Sequence, residues 1–191
     1  DFRISAIKVQ NHNGDSVTDL RYLSHKIYQG KPFIKDMPAS FAEKDEATTL
    51  EITTVDKVTN LQAILVYTVF EALGVMTKSV QIKNNSNTDM FIERAFSLCN
   101  DFPTMDFDLI SLYGRHYFER KIERRALAHG LQGVESNKGI SSHCQNPFVA
   151  LVSKETDEDS GEAYGFNLVY SGNFSALVEC DYNDSTRLIM G

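Results

Sequence analysis

The chain has 191 residues, of which 42% are hydrophobic and 24% are charged, a composition typical of a globular domain. Its 26 acidic and 19 basic residues leave a formal net charge of -7, which repels phosphate backbones and excludes general nucleic-acid binding. No apolar run approaches the roughly 18 residues that a membrane helix needs, so we predict neither a nucleic acid nor a membrane as a partner.

Alternation of apolar and polar residues, rich in β-branched and aromatic side chains, recurs along most of the chain. In chain order it predicts strands at Ile4–Gln10, Asp19–Gln29, Leu50–Thr54, Gln62–Phe70, Thr77–Ile82, Met90–Leu98, Asp108–Leu112, Pro147–Val152, Tyr164–Tyr170, Ser175–Glu179 and Arg187–Met190. Helical periodicity is almost absent. About a dozen short antiparallel strands cannot stay in one flat sheet. We therefore predict an all-β fold, a large antiparallel two-sheet β-sandwich, with residues 1–191 forming a single domain.

The first residues of the chain and its cysteines bear on whether it is part of a longer protein and on its redox compartment. There is no initiator Met and no signal-peptide pattern, so we expect the chain to begin inside a longer protein or after processing. Cys99, Cys144 and Cys180 are an odd number without metal-like spacing, which favours a reducing compartment. Cys99 and Cys180 lie among apolar strand residues, and we expect both to be buried thiols.

The residues that could carry chemistry form no recognised metal or catalytic pattern. The histidines are scattered and lack the paired spacing of zinc sites. The acidic run Asp157–Glu162 fails the offsets of an EF-hand loop, so a solvated turn is the better interpretation. Ser142, His143 and Cys144 are neighbours, but neighbours on an extended chain point to opposite faces. We predict no metal, no cofactor and no catalytic residue in this chain.

The segment Arg115–Arg125 is basic against an acidic background and has aromatic residues interleaved. A phosphate-binding face is one interpretation. Glu119 and Glu123 interrupt the positive field, which favours a contact with a neighbouring subunit or domain instead. A solvated strand is the third interpretation.

A second polar segment, Ser141–Asn146, precedes Pro147, which biases Asn146 toward an extended conformation. Its neutral donors and acceptors are suited to reading sugar hydroxyls or to closing a polar interface. The alternative is a loop whose side chains satisfy its own backbone.

A set of short motifs along the chain indicates a known family, because their order and spacing together are more specific than any one motif. They are Asp1-Phe2-Arg3, Val17-Thr18-Asp19-Leu20-Arg21-Tyr22, Ser24–Pro32, Met37-Pro38-Ala39, Glu93-Arg94-Ala95, Asp101-Phe102-Pro103, Asp106–Leu109, Gly114-Arg115, Glu119-Arg120 and the stretch Gly139–Phe174. The chain resembles, nearly end to end, the amino-terminal region of the bacterial α-galactosidases of glycoside hydrolase family 36.

The resemblance implies a β-supersandwich placed ahead of a (β/α)8 catalytic barrel, in a cytoplasmic bacterial glycosidase that forms homotetramers. Such enzymes are retaining hydrolases that release terminal α-linked galactose from melibiose, raffinose and related oligosaccharides. Retention needs two carboxyl groups roughly 5 Å apart, and in the family both are Asp residues of the barrel. The resemblance therefore implies that this chain is the non-catalytic N-terminal domain, inactive alone, and that no Asp here is catalytic.

In the family this domain packs beside the barrel, joins subunit contacts and can lend loops to the rim of an active site. The candidate rim or subunit-contact residues are Arg115, Glu119, His143 and Asn146. Cys144 stands where the family pattern leads us to expect an amide such as Gln, which weakens a sugar-binding role for that position.

Two other functions stay open. One is a stand-alone carbohydrate-binding β-sandwich module; against it, the chain has no Trp, and its eight Tyr and twelve Phe mostly occupy alternating positions that predict core packing. The other is a purely structural assembly domain with no role at an active site.

Overall fold

The computed structural model describes residues 3–191 and shows fourteen β-strands in that range. They are β1 (Ile7–Gln10), β2 (Arg21–Gln29), β3 (Thr48–Val55), β4 (Leu61–Phe70), β5 (Val75–Asn84), β6 (Phe91–Ala95), β7 (Leu98–Phe102), β8 (Phe107–Arg115), β9 (Phe118–Ala126), β10 (Gly130–Ser136), β11 (Gln145–Ser153), β12 (Ala163–Asn167), β13 (Phe174–Cys180) and β14 (Thr186–Met190). One 3-10 turn, Glu71–Leu73, joins β4 to β5. The predicted all-β antiparallel sandwich class is confirmed.

By their internal contacts the described residues divide into two compact units: the N-unit, Ser5–Leu98, and the C-unit, Cys99–Gly191 with Arg3 and Ile4. The N-unit holds a four-stranded sheet in the order β2-β3-β4-β5 and the two-stranded sheet β1-β6. Strand β4 alternates along most of its length between buried and more exposed residues, because one of its faces is covered. Strand β2 is an edge strand and is exposed along nearly its whole length.

The C-unit holds two four-stranded sheets, with the orders β10-β13-β14-β7 and β12-β11-β8-β9. Strand β11 contacts both β10 and β13 of the other sheet, so the two sheets pack on one another. Leu109, Leu151, Val178 and Leu188 are fully buried between them. Burying a side chain of this size contributes about 1.5–3 kcal/mol, so this layer is the main source of stability in the C-unit.

The largest differences from the prediction lie in two regions. The predicted strand Met90–Leu98 covers β6 but only the first residue of β7, so β7 was not predicted. Strands β9 and β10 carry no clear alternation and were not predicted. Strand β9 lies at a sheet edge and is exposed on both faces, so its sequence is mostly charged and shows no apolar period.

Two expectations about burial need correction. Cys180 is buried as expected, but Cys99 lies in β7 with its side chain exposed. The aromatic residues do not mostly fill the core: Phe70, Phe107 and Phe174 are buried, whereas the exposed set comprises Tyr22, Phe33, Phe41, Phe91, Tyr113, Tyr117, Phe118, Tyr164, Tyr170 and Tyr182. Alternation assigns residues to a face of a strand, and many of these faces and loops are uncovered. Within residues 3–191 no helix is long and apolar enough to span a membrane.

Candidate functional site

The hairpin between β8 and β9 ends in a tight tip at one end of the sheet. Arg115 pairs with Phe118, and His116 and Tyr117 form the two-residue loop between them. Tyr117 has a φ of 67°, in the left-handed region that non-glycine residues rarely occupy. It is also 83% exposed. The tip therefore presents a tyrosine ring to solvent from an unusual backbone conformation.

The two strands of the hairpin approach each other closely at a β-bulge next to the tip. Glu119 and Arg120 of β9 lie opposite the single residue Gly114 of β8, and Arg120 adopts a φ of 56°. A Cβ atom on Gly114 would collide with the carbonyl oxygen of Phe118. Gly114 is thus required for the close approach of the two strands.

Side chains around the tip hold one another in place. Two cations contact the Phe118 ring: the Arg115 Cζ atom and the Lys121 Nζ atom each lie 4.9 Å from its centroid. The His116 and Tyr117 ring centroids are 4.1 Å apart. Such cation–π contacts contribute about 0.5–1 kcal/mol at exposed sites, so the tip is ordered by its own side chains.

Glu119 has a defined partner in the hairpin itself. Its Oε1 atom accepts a hydrogen bond from the Tyr117 backbone N–H at 3.1 Å and lies 4.0 Å from the His116 Nδ1 atom. The Glu119 carboxylate therefore stabilises the turn and holds the backbone of Tyr117 in place.

The polar loop before β11 reaches the same end of the sheet. The Gly114 N–H donates to the Cys144 carbonyl at 3.3 Å, and Gln145 lies opposite Tyr113. The structure thus brings together the two segments that the sequence singled out separately. His143 is exposed and Asn146 is half-buried, and neither side chain makes a hydrogen bond to another residue in the range 3–191.

Other parts of this loop satisfy their own backbone. The Gly139 N–H donates to the Asn173 Oδ1 atom at 2.6 Å, and the Cys144 N–H donates to the Ser142 Oγ atom at 3.1 Å. Hydrogen bonds from Lys138 and then Ser142 hold the pKa of the Cys144 thiol below its usual value. Ser142 is therefore used within the loop, whereas the His143 and Asn146 side chains are not engaged by other residues of the range 3–191.

The basic run does not form one continuous charged surface. Arg124 binds Asp108 and the backbone carbonyls of Ser153, Lys154 and Thr156. Arg125 donates to the Gly133 carbonyl at 2.9 Å. The cations at the tip end, Arg115, Arg120 and Lys121, are exposed. The cations of the run that have no carbonyl or carboxylate partner therefore lie at its tip end.

The acidic run forms the predicted solvated turn. Asp157–Glu162 is exposed, and the Asp157 Oδ1 atom accepts hydrogen bonds from the backbone N–H groups of Asp159 and Ser160 at 2.8 and 2.7 Å. These two bonds are the main reason why the pKa of Asp157 lies below its usual value. In the described part of the chain, no cluster of three or more His, Cys, Asp or Glu residues could hold a metal ion.

A separate polar cleft of about 600 Å³ lies in the N-unit, between the turns that contain Asn11–Asp19, Asp56–Asn60 and Asn85–Met90. The buried polar side chains that line this cleft form hydrogen bonds within the surrounding turns. The Asp56 carboxylate accepts hydrogen bonds from the backbone N–H groups of Asp19, Val58 and Thr59 at 2.8, 2.9 and 3.1 Å. The Asn11 Nδ2 atom donates to the Asp15 Oδ1 atom at 2.7 Å.

Tyr117 is the residue of the tip that sequence reasoning missed. A signal was present: a two-residue hairpin loop favours Gly or Asn where φ is positive, and the sequence places His116-Tyr117 there. That signal could be read only once the register of β8 and β9 was known.

Comparison with known proteins gives a consistent set of relatives. All of residues 1–191 match the family model described as the glycosyl hydrolase family 36 N-terminal domain. Alpha-galactosidase AgaA of Geobacillus stearothermophilus is 48% identical over 192 residues, and its crystal structure superposes with a TM-score of 0.98 over 100% of this chain. Alpha-galactosidase C of Emericella nidulans is 42% identical over 191 residues. The crystal structure of the alpha-galactosidase from Lactobacillus brevis is 36% identical, with a TM-score of 0.97.

The chain spans about a quarter of the length of these relatives: it covers 26% of the AgaA sequence and 26% of the Emericella nidulans sequence. A bifunctional alpha-galactosidase/sucrose kinase of Mediterraneibacter gnavus is 41% identical, and the chain covers 20% of it.

Proposed function

The chain belongs to the family of glycosyl hydrolase family 36 N-terminal domains, and we therefore propose that it is the non-catalytic N-terminal domain of a retaining α-galactosidase. The parent protein would hydrolyse terminal α-D-galactosyl residues of oligosaccharides of the melibiose and raffinose type. One observation carries this proposal: the whole chain aligns with about a quarter of the length of relatives that are each named alpha-galactosidase.

The catalytic pair belongs to a different part of the parent protein in this proposal. A retaining glycosidase needs two carboxyl groups roughly 5 Å apart, one as nucleophile and one as acid and base. The Asp56 carboxylate is buried and accepts three backbone N–H groups, and the Asp108 carboxylate binds Arg124. We propose that both catalytic Asp residues lie in a (β/α)8 barrel beyond this chain.

The role of the domain would be to support that barrel. We propose that residues 1–191 act as one N-terminal domain that packs on the barrel, joins subunit contacts in a cytoplasmic homotetramer and borders the active site. The rim residues would be Arg115, Glu119, His143 and Asn146. The shared end of the sheet supports this grouping, since the hydrogen bond from Gly114 to Cys144 ties the hairpin tip to the polar loop.

The direct test compares the 191-residue chain with a longer protein that carries it and the barrel. Both are given a chromogenic α-galactoside after separation from host enzymes. We expect turnover by the longer protein alone. Turnover by the 191-residue chain would refute the non-catalytic role, and an inactive longer protein would refute the substrate class.

A second function has one specific observation in its favour. The exposed aromatic rings, Phe33 at 88% and Tyr117 at 83% among them, are of the kind that a stand-alone carbohydrate-binding module uses to stack on sugars. Titrating the 191-residue chain with galactose or raffinose while following its amide signals tests this function. Saturable millimolar binding would favour the module, whereas linear or absent shifts would favour the supporting domain.

A further inference from the structure

We infer that one face of the β2-β3-β4-β5 sheet of the N-unit is covered in the parent protein by an apolar segment of the same polypeptide outside residues 1–191. This surface, the open face, is formed by alternate residues of the four strands, among them Ile27, Leu50, Ile52, Leu65, Met76 and Val80. The inference goes beyond the proposed function, because it depends on the chain being part of a longer protein and not on the substrate of that protein.

The register of the sheet places these apolar side chains side by side. Residues that lie opposite one another in an antiparallel pair share a face of the sheet. Ile52, Leu65 and Val80 are opposite one another in turn and form a row across three strands. In the neighbouring row, Leu50 lies opposite Ile27 of the edge strand β2. The open face is therefore a continuous apolar surface and not a scatter of single residues.

The described residues leave this surface uncovered along most of its length. Ile27 is 64% exposed and Met76 is 50% exposed, and Val69, which lies opposite Met76, is 44% exposed. The side chains nearer the centre of the sheet are half-buried. Only at one end of β4 is the face buried, at Leu61 and Ala63. A contiguous apolar surface of this kind marks a site that another part of a protein covers.

The opposite face of the same sheet has the reverse character. The Lys26 Nζ atom lies 2.9 Å from the Glu51 Oε2 atom, and the Thr49 and Thr68 hydroxyl oxygens are 2.8 Å apart. Both threonines are buried. In a sheet with one face on water, the polar residues face the water and the apolar residues face a core. Here the polar face is already covered in part while the apolar face is open, so the open face needs a further layer.

The length of the relatives indicates what that layer is. The chain covers 26% of the AgaA sequence, so most of such a protein lies outside it. A covering segment in the same polypeptide is tethered, and its effective concentration is on the order of mM, which a second copy in solution rarely reaches.

The charges of the sheet indicate the chemistry of the covering segment. The Lys78 Nζ atom on the open face lies 5.1 Å from the centroid of the Tyr67 ring beside it. Glu51, the one acidic residue of the four strands, belongs to the other face. The open face thus offers no acid to a basic partner and one cation that is already turned to a ring, so an apolar segment fits it.

The test measures thiol accessibility in the longer protein with a matched pair of variants. Val69→Cys probes the open face. Val75→Cys is the control, because Val75 is 49% exposed and pairs with Phe70, which places it on the opposite face. Both positions lie in the tryptic peptide 58–78, which contains no native Cys. Mass spectrometry of that peptide after reaction with N-ethylmaleimide therefore reports the introduced thiol alone, in the folded protein and in urea.

We expect Val69→Cys to react at least about 100-fold more slowly in the folded longer protein than in urea, since a covered thiol reacts only when the layer above it opens. Val75→Cys should react within about tenfold of its rate in urea, because exposed backbone and side chains open freely. In the 191-residue chain the two thiols should react alike. Equal rates at the two positions of the longer protein, both fast or both slow, would overturn the inference.

A photo-cross-linker identifies the covering segment. p-Benzoylphenylalanine is placed at Met76 of the longer protein, which is irradiated and run on a denaturing gel. We expect a band of unchanged mass that contains a cross-link to a peptide outside residues 1–191. A band of doubled mass would show that a second copy covers the open face and would overturn the inference. An unmodified longer protein that hydrolyses no α-galactoside would refute the proposed function, while the labelling and the cross-link would still decide on the open face.

Discussion

Replacing Arg124 tests whether the basic run is a surface for partners or part of the fold. Its guanidinium donates to the Asp108 Oδ2 atom at 2.7 Å and to the carbonyl oxygens of Thr156, Lys154 and Ser153 at 2.5, 2.8 and 3.0 Å. It thereby closes the turn after β11 onto the β8–β9 hairpin. A planar fork can make these four bonds at once, whereas a lysine ammonium is a compact point charge.

The expected loss in Arg124→Lys follows from that geometry. A lysine can keep the contact with Asp108 and one carbonyl, so two hydrogen bonds are lost. Each contributes about 0.5–1.5 kcal/mol net, which gives about 1–3 kcal/mol. The Arg124 side chain is 34% exposed, so water replaces part of the loss and we expect about 1–2 kcal/mol. In a protein of this size that lowers the Tm by about 2–8 °C.

Thermal unfolding of the 191-residue chain measures this loss, and hydrogen exchange at the Thr156 amide localises it, because that amide donates to the Ser153 carbonyl within the same turn. Arg120→Lys is the matched control: Arg120 is in the same strand, is exposed and makes no hydrogen bond within residues 3–191. Equal Tm values for the two variants, or unchanged exchange at Thr156, would refute the structural role of Arg124.

Two further predictions concern buried or half-buried polar groups of the N-unit. Burial would raise the pKa of Asp56, but hydrogen bonds from the N–H groups of Asp19, Thr59 and Val58 hold it below its usual value. The Asp56 carboxylate therefore stabilises the fold fully above the pKa of an ordinary Asp. This stabilisation is lost as the pH falls through the pKa that Asp56 has in the folded protein. Asp56→Asn should therefore lose about 1–3 kcal/mol in urea unfolding at neutral pH, whereas the exposed control Asp45→Asn should lose almost nothing; equal losses would contradict this. Burial, followed by the hydrogen bond to Glu51, raises the pKa of Tyr28 from 10.0 to about 12. The neutral Tyr28 hydroxyl therefore stabilises the fold fully below pH 10.0, and this stabilisation is lost as the pH rises from 10.0 to about 12. Because the hydrogen bond with Glu162 also raises the pKa of Tyr164, the control is Tyr164→Phe. Phenolate absorbance should show a late-titrating step near pH 12 that is lost in Tyr28→Phe and kept in Tyr164→Phe, and a curve unchanged by Tyr28→Phe would speak against it.

The strands that sequence alternation could predict share a physical property. Strands β8 and β13 each have one face on a core, so their buried residues recur with a period of two, and β4 does the same except between Ala63 and Val66. Strand β9 has no covered face along most of its length, and β10 contains Gly130 and Gly133 and is exposed or half-buried at every position before Ser136. Without a buried face there is no period to detect, and these two strands could not be predicted from alternation.

The candidate site could be predicted in pieces but not as a unit. The residue types of the segments Arg115–Arg125 and Ser141–Asn146 already indicated polar contacts. Their meeting depends on the pairing of β8 with β11, in which Gln145 lies opposite Tyr113 after an irregular register. Register between strands that are far apart in sequence is set by the buried face and by the turns, so composition alone does not reveal it.

The division of the basic run shows how the fold decides which charges can act. Arg124 and Arg125 are engaged by carbonyl groups of the C-unit itself, and the run therefore loses the cations nearest its C-terminal end. Arg115 and Lys121 remain exposed but face the Phe118 ring. What the hairpin offers to a ligand is then a rigid aromatic tip with few uncommitted charges. The exposed Tyr117, and not a continuous row of cations, therefore stands at the end of the hairpin.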